Sequence, residues 1–290
     1  MPNKTDILLT ALAPAIWGST YFVTTEFLPD GYPITVAMLR ALPAGLLLLL
    51  LVRRLPESHW WGKVFVLGAL NFSIFWALLF VAAYRLPGGV AATVGAIQPL
   101  VVVLLSHIVL NSPVFAFSVL GALGGIVGVG LLVLTPNAVL DPVGVAAGLG
   151  GAVSMAAGTV LARKWQPPVS LLTFTAWQLT AGGLLLLPFA FWLEPELPDL
   201  SADNVLGLTY LGLIGAAFTY VLWFRGIQRI EPSAVSALGF LSPVTALILG
   251  WVLLGQDLGT LQIIGVVIVM VSVWMAQVAA QRPRLASAAS

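Results

Sequence analysis

Cysteine is absent from the sequence, which excludes disulfides, thiol nucleophiles and cysteine-bound metals and leaves the redox compartment open. Charge is nearly as scarce. Asp, Glu, Lys and Arg make up 8% of the 290 residues, where soluble domains carry roughly 25%. No basic tract exceeds two residues and the net charge is +1, so neither a nucleic-acid partner nor a polybasic lipid-binding tail is expected. No acidic residue lies in the interior of an apolar run, and the two histidines, His59 and His107, fall in a loop and near a helix end. Metal-dependent, nucleophilic and acid–base chemistry within a membrane all need such groups in proximity, so an intramembrane enzyme is disfavoured. The glycine-rich stretch from Gly121 to Gly130 has no lysine, which removes a phosphate loop and ATP drive.

What is abundant is hydrocarbon. Hydrophobic residues make up 60% of the chain and mean hydropathy is +1.04, the composition of an integral membrane protein. A helical span takes about 20 mostly apolar residues. Ten such runs follow one another, near residues 7–27, 33–52, 63–84, 88–110, 114–134, 143–163, 170–193, 204–226, 232–254 and 258–281. The first is too long for the core of a signal peptide and reads as a spanning helix. Ten of the twelve basic residues fall on one side of this arrangement, Lys4, Arg53, Arg54, Arg163 and Arg229 among them. Eight of the eleven acids fall on the other. Short cytoplasmic loops carry the basic excess, so both termini are expected in the cytoplasm.

The runs repeat. VAATVGAIQPLVVVLL from Val90 is echoed by AVSALGFLSPVTALIL from Ala234, 144 residues later, pairing Gly95 with Gly239, Gln98 with Ser242, Pro99 with Pro243 and Arg85 with Arg229. At an offset of 138, Pro29 meets Pro167 and Arg40 meets Gln178. Halves of five spans, 1–138 and 139–290, must enter the bilayer in opposite senses. The expected fold is therefore all-α and integral to the membrane, with ten transmembrane helices as two inverted five-helix repeats. Inverted repeats are a recurrent plan of secondary transporters, whose substrate sites lie near the midplane where the copies meet.

Candidate site residues follow from polar and aromatic groups inside the spans. Arg40 is a cation within a span, either reaching outward to Glu26 or Asp30 or capping carbonyls at the interface with the first span, or else serving a substrate carboxylate or a gate. Trp17, Tyr21 and Thr24 share one helical face with Ser19 and Thr20 on its flank, a stripe suited to cavity lining or to packing. Asn71, Phe75 and Trp76 match Gly215, Thr219 and Tyr220 at the repeat offset, and an amide such as Asn71 must face protein or water. Thr93 and Gln98 oppose Ser236 and Ser242, with Pro99 and Pro243 as mid-helix breaks that free carbonyls or act as hinges. Phe72, Trp177, Tyr210 and Trp223 are equally cavity walls or packing. Gly121, Gly125 and Gly128, and Gly144, Gly148 and Gly151, read as close-packing scaffold, with a dimer face a further use for them.

The five-plus-five spans, the early Trp17–Gly18–Ser19, Arg40 in the second span and the proline-bearing fourth and ninth spans together resemble the EamA-type drug/metabolite transporter superfamily. The likeness covers essentially the whole chain and is nearest to the YddG-like exporters. That resemblance implies helices arranged around a central cavity, the fifth and tenth peripheral, and alternating access at a bacterial inner membrane. It also implies export of amino acids or related small amphipathic metabolites. No cofactor is expected, coupling is expected to be weak or absent, and neither a monomer nor an oligomer is indicated. Proton-coupled efflux of another substrate class, a channel and an intramembrane enzyme are the alternatives.

Overall fold

A computed structural model describes residues 4–29, 31–86, 94–133, 141–255 and 259–280, apart from the side chains of Tyr21, Thr25, Ala83, Tyr84, Val133 and Leu254. Thr93 and the Tyr21 side chain thus lie outside the described residues. Among the described residues every regular element is helical. The helices are α1 (Lys4–Phe27), α2 (Pro33–Val52), α3 (Trp61–Gly68, continuing through Ala69–Ser73 into Ile74–Arg85), α4 (Gln98–Leu110) and α5 (Ala116–Val133). Then come α6 (Pro142–Lys164), α7 (Leu171–Leu193), α8 (Ala202–Gly212, Leu213–Phe218 and Thr219–Arg229), α9 (Pro232–Leu238 and Leu241–Leu254) and α10 (Thr260–Ala279). Eight of these are long and apolar enough to cross a membrane, while the apolar stretches Gln98–Leu110 and Ala116–Leu132 in α4 and α5 are shorter.

Element boundaries keep the sequence offsets. Pro33 and Leu171 open α2 and α7, 138 residues apart, and Ala116 and Thr260 open α5 and α10, 144 apart. The left-handed caps also correspond: Asn111 (φ 53) ends α4 and Gly255 (φ 62) ends α9. Contacts obey the same correspondence, because α1 packs on α8 and α9 while α6 packs on α3 and α4. The equivalent helices α2 and α7 pack directly on each other, as do α5 and α10. Both pairs are antiparallel. A Cβ on Gly183 would lie 2.6 Å from the Leu42 Cα while Gly45 meets Thr180, and Gly121 faces Ser272 while Gly128 faces Gly265.

Small residues set these distances. Gly121 and Gly128 meet α10 and Gly125 meets the Phe240 ring, so this stripe is occupied within the chain and is not a dimer face. Gly144, Gly148 and Gly151 meet Leu86, Val94 and Leu78, seating α6 on α3 and the turn before α4. Helix ends are capped by side chains: Asp141 Oδ1 accepts from Gly144 N (2.8 Å) and Ser201 pairs with Asn204 in a capping box. The N-terminus of α2 instead receives a distant carboxylate. Glu194 accepts from Ile34 N (2.6 Å) and Thr35 N (2.7 Å), setting negative charge against the positive end of the helix dipole.

The two prolines expected in mid-helix are placed differently. Turns at residues 96–97 and 239–240 interrupt the path first, and Pro99 and Pro243 lie in the first turn of the helical segments that follow. There a missing N–H costs nothing, since the first turn's donors have no partner in the helix. The break therefore belongs to the turn, with each proline starting the next segment.

Candidate functional site

The centre of the molecule is built where α1, α2, α3 and α8 meet. Midway along α8 the helix widens into a π-turn, Leu213–Phe218, and midway along α3 an equivalent one, Ala69–Ser73, begins 144 residues earlier. A π-turn shifts the hydrogen-bond ladder by one residue and leaves a carbonyl to be claimed by other donors. In α8 the Thr219 N–H reaches Ile214 O, and Gly215 O accepts instead from Thr219 Oγ1 (2.9 Å) and from Arg40 Nη2 (2.7 Å). In α3 the Ile74 N–H reaches Ala69 O, and Leu70 O accepts from Ser154 Oγ of α6 (2.8 Å).

Arg40 is 5% exposed, and its guanidinium lies 4.8 Å above the Trp76 ring centroid. This settles its direction. It turns inward to a carbonyl and an aromatic face, away from the outward reach that was its alternative. A cation over a desolvated ring gains up to about 2 kcal/mol, which offsets part of the burial cost. Trp17 joins the same group, since its Nε1 donates to Thr219 Oγ1 (2.9 Å) and its ring lies 4.9 Å from Tyr220 and 5.1 Å from Trp223. Phe72 closes the ring of contacts, 4.5 Å from Tyr220 and 5.3 Å from Trp76.

The repeat partners of these residues form a second polar contact. Asn71 Nδ2 donates to Gln178 Oε1 (2.9 Å). Asn71 aligns with Gly215 and Gln178 with Arg40, so the α2–α8 contact and the α7–α3 contact are the same joint made twice. One copy carries a charge and the other two amides. Buried Asn71 Oδ1 and Trp223 Nε1 have no hydrogen-bond partner among the described residues, a state that costs roughly 1–3 kcal/mol each.

Other expected site residues fall elsewhere. Phe75 and Gln98 line a separate cavity of about 30 Å³ with Leu79, Gly95, Gly148 and Gly151, between α3, α4 and α6. Ser19 Oγ hydrogen-bonds to Tyr210 OH (2.7 Å), tying α1 to the first part of α8. The Ser242 carbonyl sits against Gly18, where α1 crosses α9. The structure thus gathers Trp17, Arg40, Trp76, Thr219 and Tyr220 into one cluster and disperses Ser19, Asn71, Phe75, Gln98 and Ser242 around it. A larger hollow of about 290 Å³, lined by Leu46, Leu50 and Arg53, lies at the end of α2 and has none of this chemistry.

One group escaped the sequence reading. Asp6, in the first turn of α1 and 7% exposed, pairs with Arg225 (2.7 Å) and Arg229 (3.3 Å) near the end of α8. Arg163 at the end of α6 donates to the Ile227 and Gln228 carbonyls beside them. Arg225 and Arg229 share a helix face at four-residue spacing, which was a legible signal for an acidic partner, though nothing in the sequence marked Asp6 as that partner.

The chain is similar to known proteins over nearly its whole length. Protein PecM of Dickeya dadantii is 48% identical over 260 residues, covering 89% of this chain and 87% of PecM. The uncharacterized inner membrane transporter YedA of Escherichia coli K12 is 29% identical over 85% of this chain and 82% of its own length. A protein of known crystal structure shares the fold with a TM-score of 0.83, at 20% identity, over 96% of this chain and 98% of that one. The EamA-like transporter family model matches residues 4–134 and again 142–277. With both stretches matched, the chain belongs to the EamA-like transporter family and is a multi-pass membrane protein of a transporter class.

Proposed function

We propose that the protein is a secondary carrier that moves amino acids or related small amphipathic metabolites out of the cytoplasm by alternating access, without a coupling ion. In this reading α1 to α10 all span a bacterial inner membrane, both termini are cytoplasmic, and residues 1–138 and 139–290 form halves of opposite orientation. The two halves close around a central compartment and rock about the breaks before Pro99 and Pro243.

The observation that carries the reading is the cluster of Trp17, Arg40, Trp76, Thr219 and Tyr220 at the crossing of helices from both halves. Aromatic faces with one cation and a few hydroxyls suit a substrate that is apolar at one end and acidic at the other. Gly215 O also accepts from Thr219, so Arg40 can turn to a substrate carboxylate without orphaning that carbonyl. The unpaired Asn71 Oδ1 and Trp223 Nε1 are further polar atoms available to a substrate.

Counterflow of labelled amino acids in proteoliposomes tests it. Saturable exchange, unaltered by an imposed proton gradient, is the expected result. Flux that rises linearly without saturation would indicate a channel, strong acceleration by the gradient a proton-coupled carrier, and chemical conversion of the solute an enzyme.

A further inference from the structure

The ends of α1 and α6 facing away from the centre carry ion pairs of unequal quality. Where α1 begins and α8 ends, the Asp6 carboxylate lies between Arg225 and Arg229, with its side chain 10% exposed and those of the arginines 28% and 49% exposed. The equivalent junction is where α6 begins and α3 ends. There Asp141 meets Arg85, the repeat partner of Arg229, at 3.6 Å, with side chains 35% and 50% exposed. The helix faces beneath them also correspond. On α1, Asp6, Thr10, Ala13 and Trp17 follow one face toward α8, with Thr10 against Gly226. At the 138-residue offset these become Gly144, Gly148, Gly151 and Met155 of α6, the first three of which lie against α3 and the turn before α4. Below the second junction lies the 30 Å³ cavity, bounded by Ala82, Gly148 and Gly151.

Equivalent helix pairs in antiparallel halves place these two junctions at opposite faces of the bilayer. An exposed pair held at 3.6 Å is worth little in water, whereas a carboxylate shielded between two guanidiniums is costly to separate. We infer that the two ion-pair junctions are the latches of the two gates, and that the Asp6–Arg225–Arg229 latch is the stronger. The carrier then rests closed on the face where α1 begins, and it opens more readily on the face where α6 begins. The inference rests on the alternating-access reading and adds to it a resting side and the residues that set it.

The absence of cysteine makes a direct test available, because introduced cysteines are labelled without background. Ala13→Cys reports on the α1–α8 seam and Ala147→Cys on the α6–α3 seam; both alanines are buried, at 0% and 6% exposure. In liposomes of defined orientation, a membrane-impermeant maleimide applied to one face at a time measures access to each. Asp6→Asn is expected to raise modification of Ala13→Cys at least tenfold and to lower that of Ala147→Cys. Asp141→Asn is expected to change either by less than twofold. Arg229→Gln, which removes only the more exposed arginine, is the second variant should Asp6→Asn fail to fold, with an expected rise of about threefold. Labelling of Ala13→Cys that is unchanged in every latch variant overturns the latch and leaves the carrier standing. Both cysteines labelled from both faces in the parent protein means a continuous pore, which overturns the carrier and the latch with it.

Discussion

The α1–α8 seam and the α6–α3 seam descend from the same pattern, yet they hold together by different means. The first is polar and tied: Asp6 grips Arg225 and Arg229, Thr10 fits against Gly226, and Trp17 hydrogen-bonds to Thr219. Among the described residues the second has a single hydrogen bond, from Ser154 Oγ to Leu70 O, and otherwise rests glycines of α6 on Leu78, Leu86 and Val94, with its ion pair half in solvent. Two structurally equivalent interfaces need not cost the same to open. In a rocking carrier that inequality sets a preference between states, since a difference of about 1.4 kcal/mol is a tenfold shift in population.

The comparison can be broken most forcefully at Asp6. Asp6→Leu leaves two arginines facing an apolar group in a partly buried site, and a loss of about 3 kcal/mol is expected, read as a lowered unfolding midpoint in detergent. Gly226→Ala comes next, because its new methyl would overlap Thr10, whose hydroxyl is held by Asp6 O at 2.6 Å. Overpacking of this kind costs about 1–3 kcal/mol, and adding Thr10→Ala should restore most of it in a double-mutant cycle. Gly148→Ala would set its methyl 2.8 Å from Val94 Cγ1 and 3.7 Å from Ala82 Cβ, a milder overlap than the one at Gly226, with an expected cost of about 1 kcal/mol. Asp141→Asn is the smallest perturbation, expected within about 1 kcal/mol and fading further as salt is raised. A fifth variant addresses the centre. Arg40→Gln removes the charge that sets one joint apart from the other, and counterflow of substrates bearing an acid group should fall at least tenfold while the protein remains folded.

Much of the architecture was legible because apolar runs have a fixed minimum length and duplicated runs keep their spacing. The offsets of 138 and 144 residues carried through to the helix starts themselves. What the alignment concealed was contact. It set Arg40 beside Gln178 and Asn71 beside Gly215, whereas the fold joins Arg40 to Gly215 and Gln178 to Asn71. Aligned positions are equivalent by symmetry, and symmetry places equivalent residues in matching surroundings without making them neighbours.

The π-turns were hidden for a different reason. Through Leu213–Phe218 every side chain is apolar, and Arg225 and Arg229 lie only after the wide turn, so one extra residue there interrupts no existing pattern of hydropathy. The breaks near Pro99 and Pro243 were found within a few residues, because proline limits the backbone wherever it stands. Nothing in the sequence sets Asp6 apart from any other acid near a helix start, where the helix dipole favours one.

The wide turn at Leu213–Phe218 has one more consequence. Each residue of an α-helix advances the chain by about 100° around its axis, so the extra residue resets the compass bearing of everything after it. Removing a single residue there would leave α8 just as greasy and nearly as long, but would swing Arg225 and Arg229 a quarter-turn or more away from Asp6. The stretch thus acts as a phase adjuster, keeping the remote end of the rod aimed at its clasp while the near end keeps its own alignment.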